Sequence, residues 1–225
     1  MTVITWPSDF NVASGSMRVQ AITQTSTSPF SGASKAALSG ALWVADVSFP
    51  PMDHSRARQF QALVDGLDGP VNPVLIPAWF ASRPALYGAL TEDQPWSDGT
   101  FWSDGSGWST HGWSLMVAAD APAGSLSVRL SGFPAGQEVL RPGDILGVAG
   151  RLLQVHAGVT ADGAGEAVVE FRPALREGVV RFDPVVTDGP ALLMRLAPDS
   201  SGAVVRNPGY ADVVSLRFVE AVDIP

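Results

Sequence analysis

Residues able to do chemistry are few and scattered. There are three histidines, His54, His111 and His156. No two stand four apart, and no H-E-x-x-H helix is written. His156 shares a strand face with Gln154, which implies a histidine turned to solvent or to an interface. The chain has no cysteine, which removes disulfides, cysteine-based zinc sites and thiol catalysis together. No G-x-S-x-G elbow is present to seat a serine nucleophile, so a Ser-His-Asp triad would have to meet in space alone. The carboxylates Asp98, Asp104, Asp144, Asp162, Glu166 and Glu170 are the raw material for a glycosidase pair. Most of them lie in turn signals or on the polar face of a strand, where a carboxylate is ordinary. Asp98 and Asp104 lack the spacing of a calcium loop. Neither G-x-x-x-x-G-K nor a complete G-x-G-x-x-G occurs, so nothing supports nucleotide binding. The expectation is a non-enzyme with no metal and no cofactor.

One cluster remains. Trp96, Trp102, Trp108 and Trp113 punctuate a near-repeat with a period of about six, Trp96-Ser97-Asp98-Gly99, Trp102-Ser103-Asp104-Gly105, Trp108-Ser109-Thr110-His111-Gly112-Trp113. That period is far shorter than a solenoid unit. Ser-Asp-Gly favours Asx turns, so the stretch reads as stacked tight turns pinned by indoles. Such rings can staple a coreless loop or bury against a neighbouring subunit, since aromatics are enriched at interface centres. They can also form a platform for the apolar faces of sugars. Packing is the favoured reading and carbohydrate the alternative.

Composition sets the class. The chain has 225 residues, 46% hydrophobic, with 23 glycines and 18 prolines. That is enough for a sizeable core in one large or two small domains, with many turns. Net charge is −8, from 14 Lys+Arg against 22 Asp+Glu. An acidic chain without a basic run is a poor nucleic-acid binder, because that binding is driven by phosphate neutralisation. The start, M-T-V-I-T-W-P-S-D, lacks the charged and apolar regions of a signal peptide, so none is expected. No apolar run is long enough to span a bilayer.

The elements follow from periodicity. Residues 137–178 read as a turn-bounded β meander. Leu153, Val155 and Ala157 share one face of residues 151–157, with Leu152, Gln154 and His156 on the other. Ala167, Val169 and Phe171 share one face of residues 166–171, with Glu166 and Glu170 opposite. A two-residue period marks half-buried strands, and the Asp162-Gly163 between them predicts a hairpin. Earlier in the chain, residues 2–6, 16–24 and 38–49 read as strands. In the last of these Ala41, Trp43, Ala45, Val47 and Phe49 form one face. Residues 25–36, rich in Ser, Thr, Pro and Gly, read as a loop. One helix is expected after Asp53 as N-cap, with Ala57, Phe60, Val64 and Leu67 as its apolar stripe. Gly66 or Gly69 would end it, and Pro70 forbids continuation. Further strands are expected at 72–77, 113–119, 124–131, 179–182, 191–197 and 212–222, with 80–94 as a connection. One helix among roughly a dozen short strands is a mainly β protein, as sandwich or barrel.

Two stretches carry a resemblance. The first is S-P-F-S-G-A-S-K-A-A-L-S-G-A-L-W-V-A-D-V-S-F-P-P-M, followed by R-A-R-Q-F-Q-A-L-V-D-G-L-D-G and N-P-V-L-I-P. The second is L-R-P-G-D-I-L-G-V-A-G-R-L-L-Q-V-H-A-G-V-T-A-D-G-A-G-E-A-V-V-E-F-R-P-A-L-R, with a closing S-L-R-F-V-E-A. Together they resemble the distal tail (Dit-like) proteins of long flexible-tailed bacteriophages and of related tail-like particles or gene transfer agents. The resemblance covers most of the chain, in loose patterns without a catalytic signature. It implies a β-sandwich-like ring domain with one amphipathic helix, here 1–94 with 190–225, and a smaller β module inserted as 95–189. It implies a hexameric ring in the virion's tail tip, made in the host cytoplasm and joining the tail tube to the tail hub or baseplate. Implied partners are copies of itself, the tail tube protein and the hub protein, with the tape-measure protein as a further candidate. DNA would pass through without specific binding, past an acidic wall that repels phosphate. Trp96, Trp102, Trp108, Trp113, Thr25 and Phe30 are the candidate interface residues, residues 25–36 being placed to order on the next subunit. The alternative is a carbohydrate-binding module of a tail adhesin built on Trp96–Trp113.

Overall fold

A computed structural model describes residues 2–27, 34–79, 81, 100, 103, 114–200, 205–207 and 210–222, of which 24–27, 34–39 and 206 by backbone alone. The chain divides into two compact units, Met1–Phe80 with Ala191–Pro225, and Ala81–Pro190. It is mainly β: one helix is found among the described residues. That helix is too short to cross a membrane.

The first unit is a six-stranded sheet with a helix. Its strands are β1 (Ile4–Thr5), β2 (Ser14–Thr27), β3 (Ser34–Phe49) and β4 (Val74–Pro77), with helix α1 (His54–Gly66) between β3 and β4. The unit is completed by β13 (Ala191–Leu196), the short pair β14 (Arg206–Asn207) and β15 (Tyr210–Ala211), and β16 (Val214–Glu220). The sheet order is β1-β4-β13-β16-β3-β2. β1 runs parallel to β4, and the pairs along β4-β13-β16-β3-β2 are antiparallel.

α1 begins as its sequence dictates. Asp53 accepts the Arg56 amide at 2.8 Å, satisfying one of the free N–H groups of the first turn. Ala57, Phe60 and Val64 are buried, as is Leu67 just beyond the last turn. Phe60 reaches Phe49 of β3 at 4.9 Å between ring centroids, Phe10 at 5.3 Å and Trp6 at 6.2 Å. Trp43, Ala45, Val47 and Phe49 all point into this core, so their alternation in β3 is the two-residue period of a half-buried strand. Glu220 is buried there too, and its carboxylate accepts the Trp43 amide at 2.9 Å. A hydrogen-bonded acid is tolerated in a core where an unpaired one is not.

The second unit holds a closed barrel. Its strands are β5 (Leu115–Val117), β6 (Ser127–Ser131), β8 (Ile145–Val148), β9 (Arg151–Val155), β11 (Glu166–Arg172) and β12 (Pro184–Val186). They close in the order β11-β6-β5-β12-β8-β9. β7 (Glu138–Leu140) and β10 (Val159–Thr160) pair as a separate ribbon. Leu130, Leu146, Leu153, Val169 and Phe171 fill the barrel with other apolar side chains. Closure leaves this sheet without edges.

Three local expectations are corrected. Residues 25–36 do not all form a loop. β2 continues to Thr27 and β3 starts at Ser34, paired down to Thr27↔Ser34 with one register shift between Ile22 and Thr23. The Asp162-Gly163 turn does not join β9 to β11 as a hairpin. β10 intervenes and pairs with β7, and β9 meets β11 only at Phe171↔Val155 and Arg172↔Gln154. Residues 179–182 are not a strand either. Val179 makes a single bridge to Ala121, and the chain then turns sharply through Phe182, whose φ is +76°.

Candidate functional site

Of the acids picked out by sequence, Asp144, Asp162 and Glu166 serve turns and ion pairs. Asp162 accepts the Ala164 and Glu166 amides, each at 2.9 Å. Those bonds from Glu166 and Ala164 hold its carboxyl below the ordinary 3.8, with Arg129 adding to the effect. Glu166 itself pairs with Arg129 at 2.7 Å. Asp144 is buried and accepts the Arg141 amide at 2.8 Å. Glu170 lies on the barrel's exposed side, as does His156. Among the described residues, no three His, Asp or Glu gather where one cation could sit. Asp98, Asp104, His111, Trp96, Trp102, Trp108, Trp113 and Phe30 lie outside the described residues. Thr25 lies in β2, its Cα opposite Ala36 of β3.

The structure offers instead a surface that the sequence reading passed over, the sheet face of the first unit turned away from α1. Alternation places Arg18 and Gln20 of β2, Leu42, Val44, Asp46 and Ser48 of β3, and Ser215, Arg217 and Val219 of β16 on that face. It carries two adjoining grooves that share Asp199 and Arg217. One, of about 310 Å³, is apolar, with Ile22, Leu42, Val44, Pro198 and Val219 in its lining. The other, of about 380 Å³, is polar, with Ser48 and Ser215 hydroxyls 2.8 Å apart. Its charges balance in a chain of pairs. Arg18 meets Asp46 at 2.6 Å, Arg217 meets Asp46 at 3.5 Å, and Arg217 meets Asp199 at 3.7 Å. These groups are exposed enough that each pair contributes little on its own. The face is chemically mixed.

A second feature stands beside it. β16 covers β3 only from Val44 to Phe49, whereas β2 and β3 stay paired as far as Thr27↔Ser34. Residues 19–27 and 34–43 are therefore a two-stranded ribbon paired only with itself among the described strands. Ala21, Ile22 and Thr23, three consecutive residues whose side chains alternate in direction, are all exposed. The signal for it was present in the β-branched residues Ile22, Thr23, Thr25 and Thr27, but turn-forming Ser, Pro and Gly outweighed it.

No protein-family model matches the chain, and no curated protein does.

Proposed function

We propose that this chain is the subunit of a tail-tip ring, a hexamer in the virion that joins a tail tube to the hub or baseplate and performs no catalysis. The ribbon at residues 19–27 and 34–43 is the observation that carries the reading. A two-stranded hairpin is at best marginally stable in water by itself, so one of this length calls for a partner surface. In a ring of identical subunits that surface is the next copy, through a heterologous contact that closes on itself. The two grooves of the adjacent sheet face, half apolar and half charge-balanced, are the mix of core and rim found at protein–protein contacts. Asp144, Asp162 and Glu166 are engaged in turns and ion pairs, as in a structural part. The sequence resemblance to distal tail proteins points the same way.

The test removes the ribbon's far end. Deleting residues 24–37 and closing Thr23 to Leu38 with Asn-Gly preserves the sheet, because α1, β13 and β16 hold the remainder. The expected result is a folded chain, by circular dichroism and Tm, that no longer enters rings or particles in light scattering and negative-stain images. Tail particles that assemble normally with the shortened chain, or that lack the chain altogether, overturn the proposal.

A further inference from the structure

The apolar groove on the sheet face away from α1 has a floor and two walls. Val44 and Val219 are opposite each other in register and form the floor. Ile22 and Leu42, at the root of the ribbon, line one side, and Pro198, beyond β13, lines the other. Arg217 at its end is already matched, meeting Asp46 at 3.5 Å and Asp199 at 3.7 Å. The groove therefore suits an apolar, uncharged occupant. Residues 28–33, S-P-F-S-G-A, join the two strands of the ribbon. They carry no charge, and Phe30 is their one large apolar side chain. Thr27 and Ser34 face each other at the ribbon's tip, and Phe30, three residues beyond Thr27, lies at most about 11 Å from it. Its own groove is farther off. Val44 is level with Arg18, nine residues before Thr27 along β2, which is about 30 Å at strand rise. The ribbon thus keeps Phe30 out of its own chain's groove and carries it outward from the sheet.

We propose that Phe30 of one copy docks in the apolar groove of a second copy of this chain. The proposal rests on the tail-tip reading and names what fills its ring contact. Each copy then offers one knob and one hole at separate places, the head-to-tail arrangement that closes into a ring. An aromatic anchor in an apolar pocket rimmed by paired charges is the pattern of residues that dominate interface energies. A tube or hub protein would have to bring an apolar side chain of its own and would leave Phe30 uncovered. A neighbouring copy covers the groove and Phe30 at once.

The chain has no cysteine, which makes pairwise cross-linking a clean test, since a disulfide forms only where Cα atoms come within about 7 Å. Two double variants, Phe30→Cys with Val219→Cys and Phe30→Cys with Ile22→Cys, are oxidised in assembled tail particles and run on gels without reductant, beside the three single variants. Circular dichroism and Tm check that each folds. Both doubles should give covalent multimers that extend beyond the dimer and collapse on reduction, while the singles stay monomeric. A monomer of altered mobility means that Phe30 reaches its own groove and overturns the proposal. A ladder that stops at two marks a reciprocal exchange, and a dimer from Phe30→Cys alone means that ribbon tips meet each other; either overturns it as well. No cross-link from either double, in particles that contain the chain, overturns the docking and leaves the ring reading standing. Particles without the chain overturn both.

Discussion

Gly165 shows how far one side chain's absence can matter. Its φ is +74°, and a Cβ there would collide with the Phe133 carbonyl, while nothing lies within 4 Å of a Cβ at Gly163. Gly165→Ala should therefore lower stability by about 2 kcal/mol from backbone strain and crowding, and Gly163→Ala should change it little, both read by chemical denaturation. Asp53 gives a prediction in pH. The amide bond from Arg56 holds its carboxyl below the ordinary 3.8, so the folded chain gives up that proton more readily than the unfolded one. The stabilisation is complete above the ordinary value and drains away as pH falls through the lower, folded one. Asp53→Ala should lower Tm at neutral pH, and the gap to the parent should shrink towards about pH 2. Asp53 was legible in the sequence because a cap is a local device, Asp followed three residues later by the amide it accepts. Phe182 was not. Its positive φ is one that glycine ordinarily takes, and its turn is held by Asp183, which accepts the Val180 amide at 2.8 Å, and by Asp120, which accepts the Arg181 amide from 61 residues away. No window of the sequence contains both Asp120 and Phe182, so residues 179–182 read as strand.

Elements were legible where one face is dry and the other wet. α1 and the second half of β3 are of that kind, and their apolar stripes were read correctly from spacing. Phe60 links them. It is fully buried against Phe49, Phe10 and Trp6. Phe60→Ala should destabilise the first unit by about 3–5 kcal/mol, the range for emptying an aromatic site in a core. A fall in unfolding free energy below about 1 kcal/mol would mean that the site refills on truncation. Only the far end of β2, residues 25–27, and the start of β3, residues 34–37, were missed, because Ser, Pro and Gly between them signal a loop. The Asp162 turn failed differently. The positive φ falls on Gly165 rather than on Asp162 or Gly163, and which strands the turn joins depends on β10 pairing with β7, a contact that turn chemistry does not encode.

At the scale of the molecule, a mainly β chain with one helix was legible, because composition and turn density limit the options. The tail-tip reading has a whole-molecule consequence of its own. A chain with 22 acidic against 14 basic residues repels duplex phosphate. A reconstruction of the particle should then show Asp and Glu lining the ring's axis, and a bore lined by Lys and Arg would count against the reading. The divided first unit bears on how each copy is made. Trp43 and its carboxylate partner Glu220 are 177 residues apart, and the stretch between them includes the whole second unit. At about 5–20 residues per second, a nascent β3 waits roughly ten seconds or more on the ribosome for β16, while the barrel strands can already close. During that interval the half-built sheet has β2 and α1 but lacks its middle strands. The first unit of each newly made copy is thus complete only once synthesis has passed Glu220.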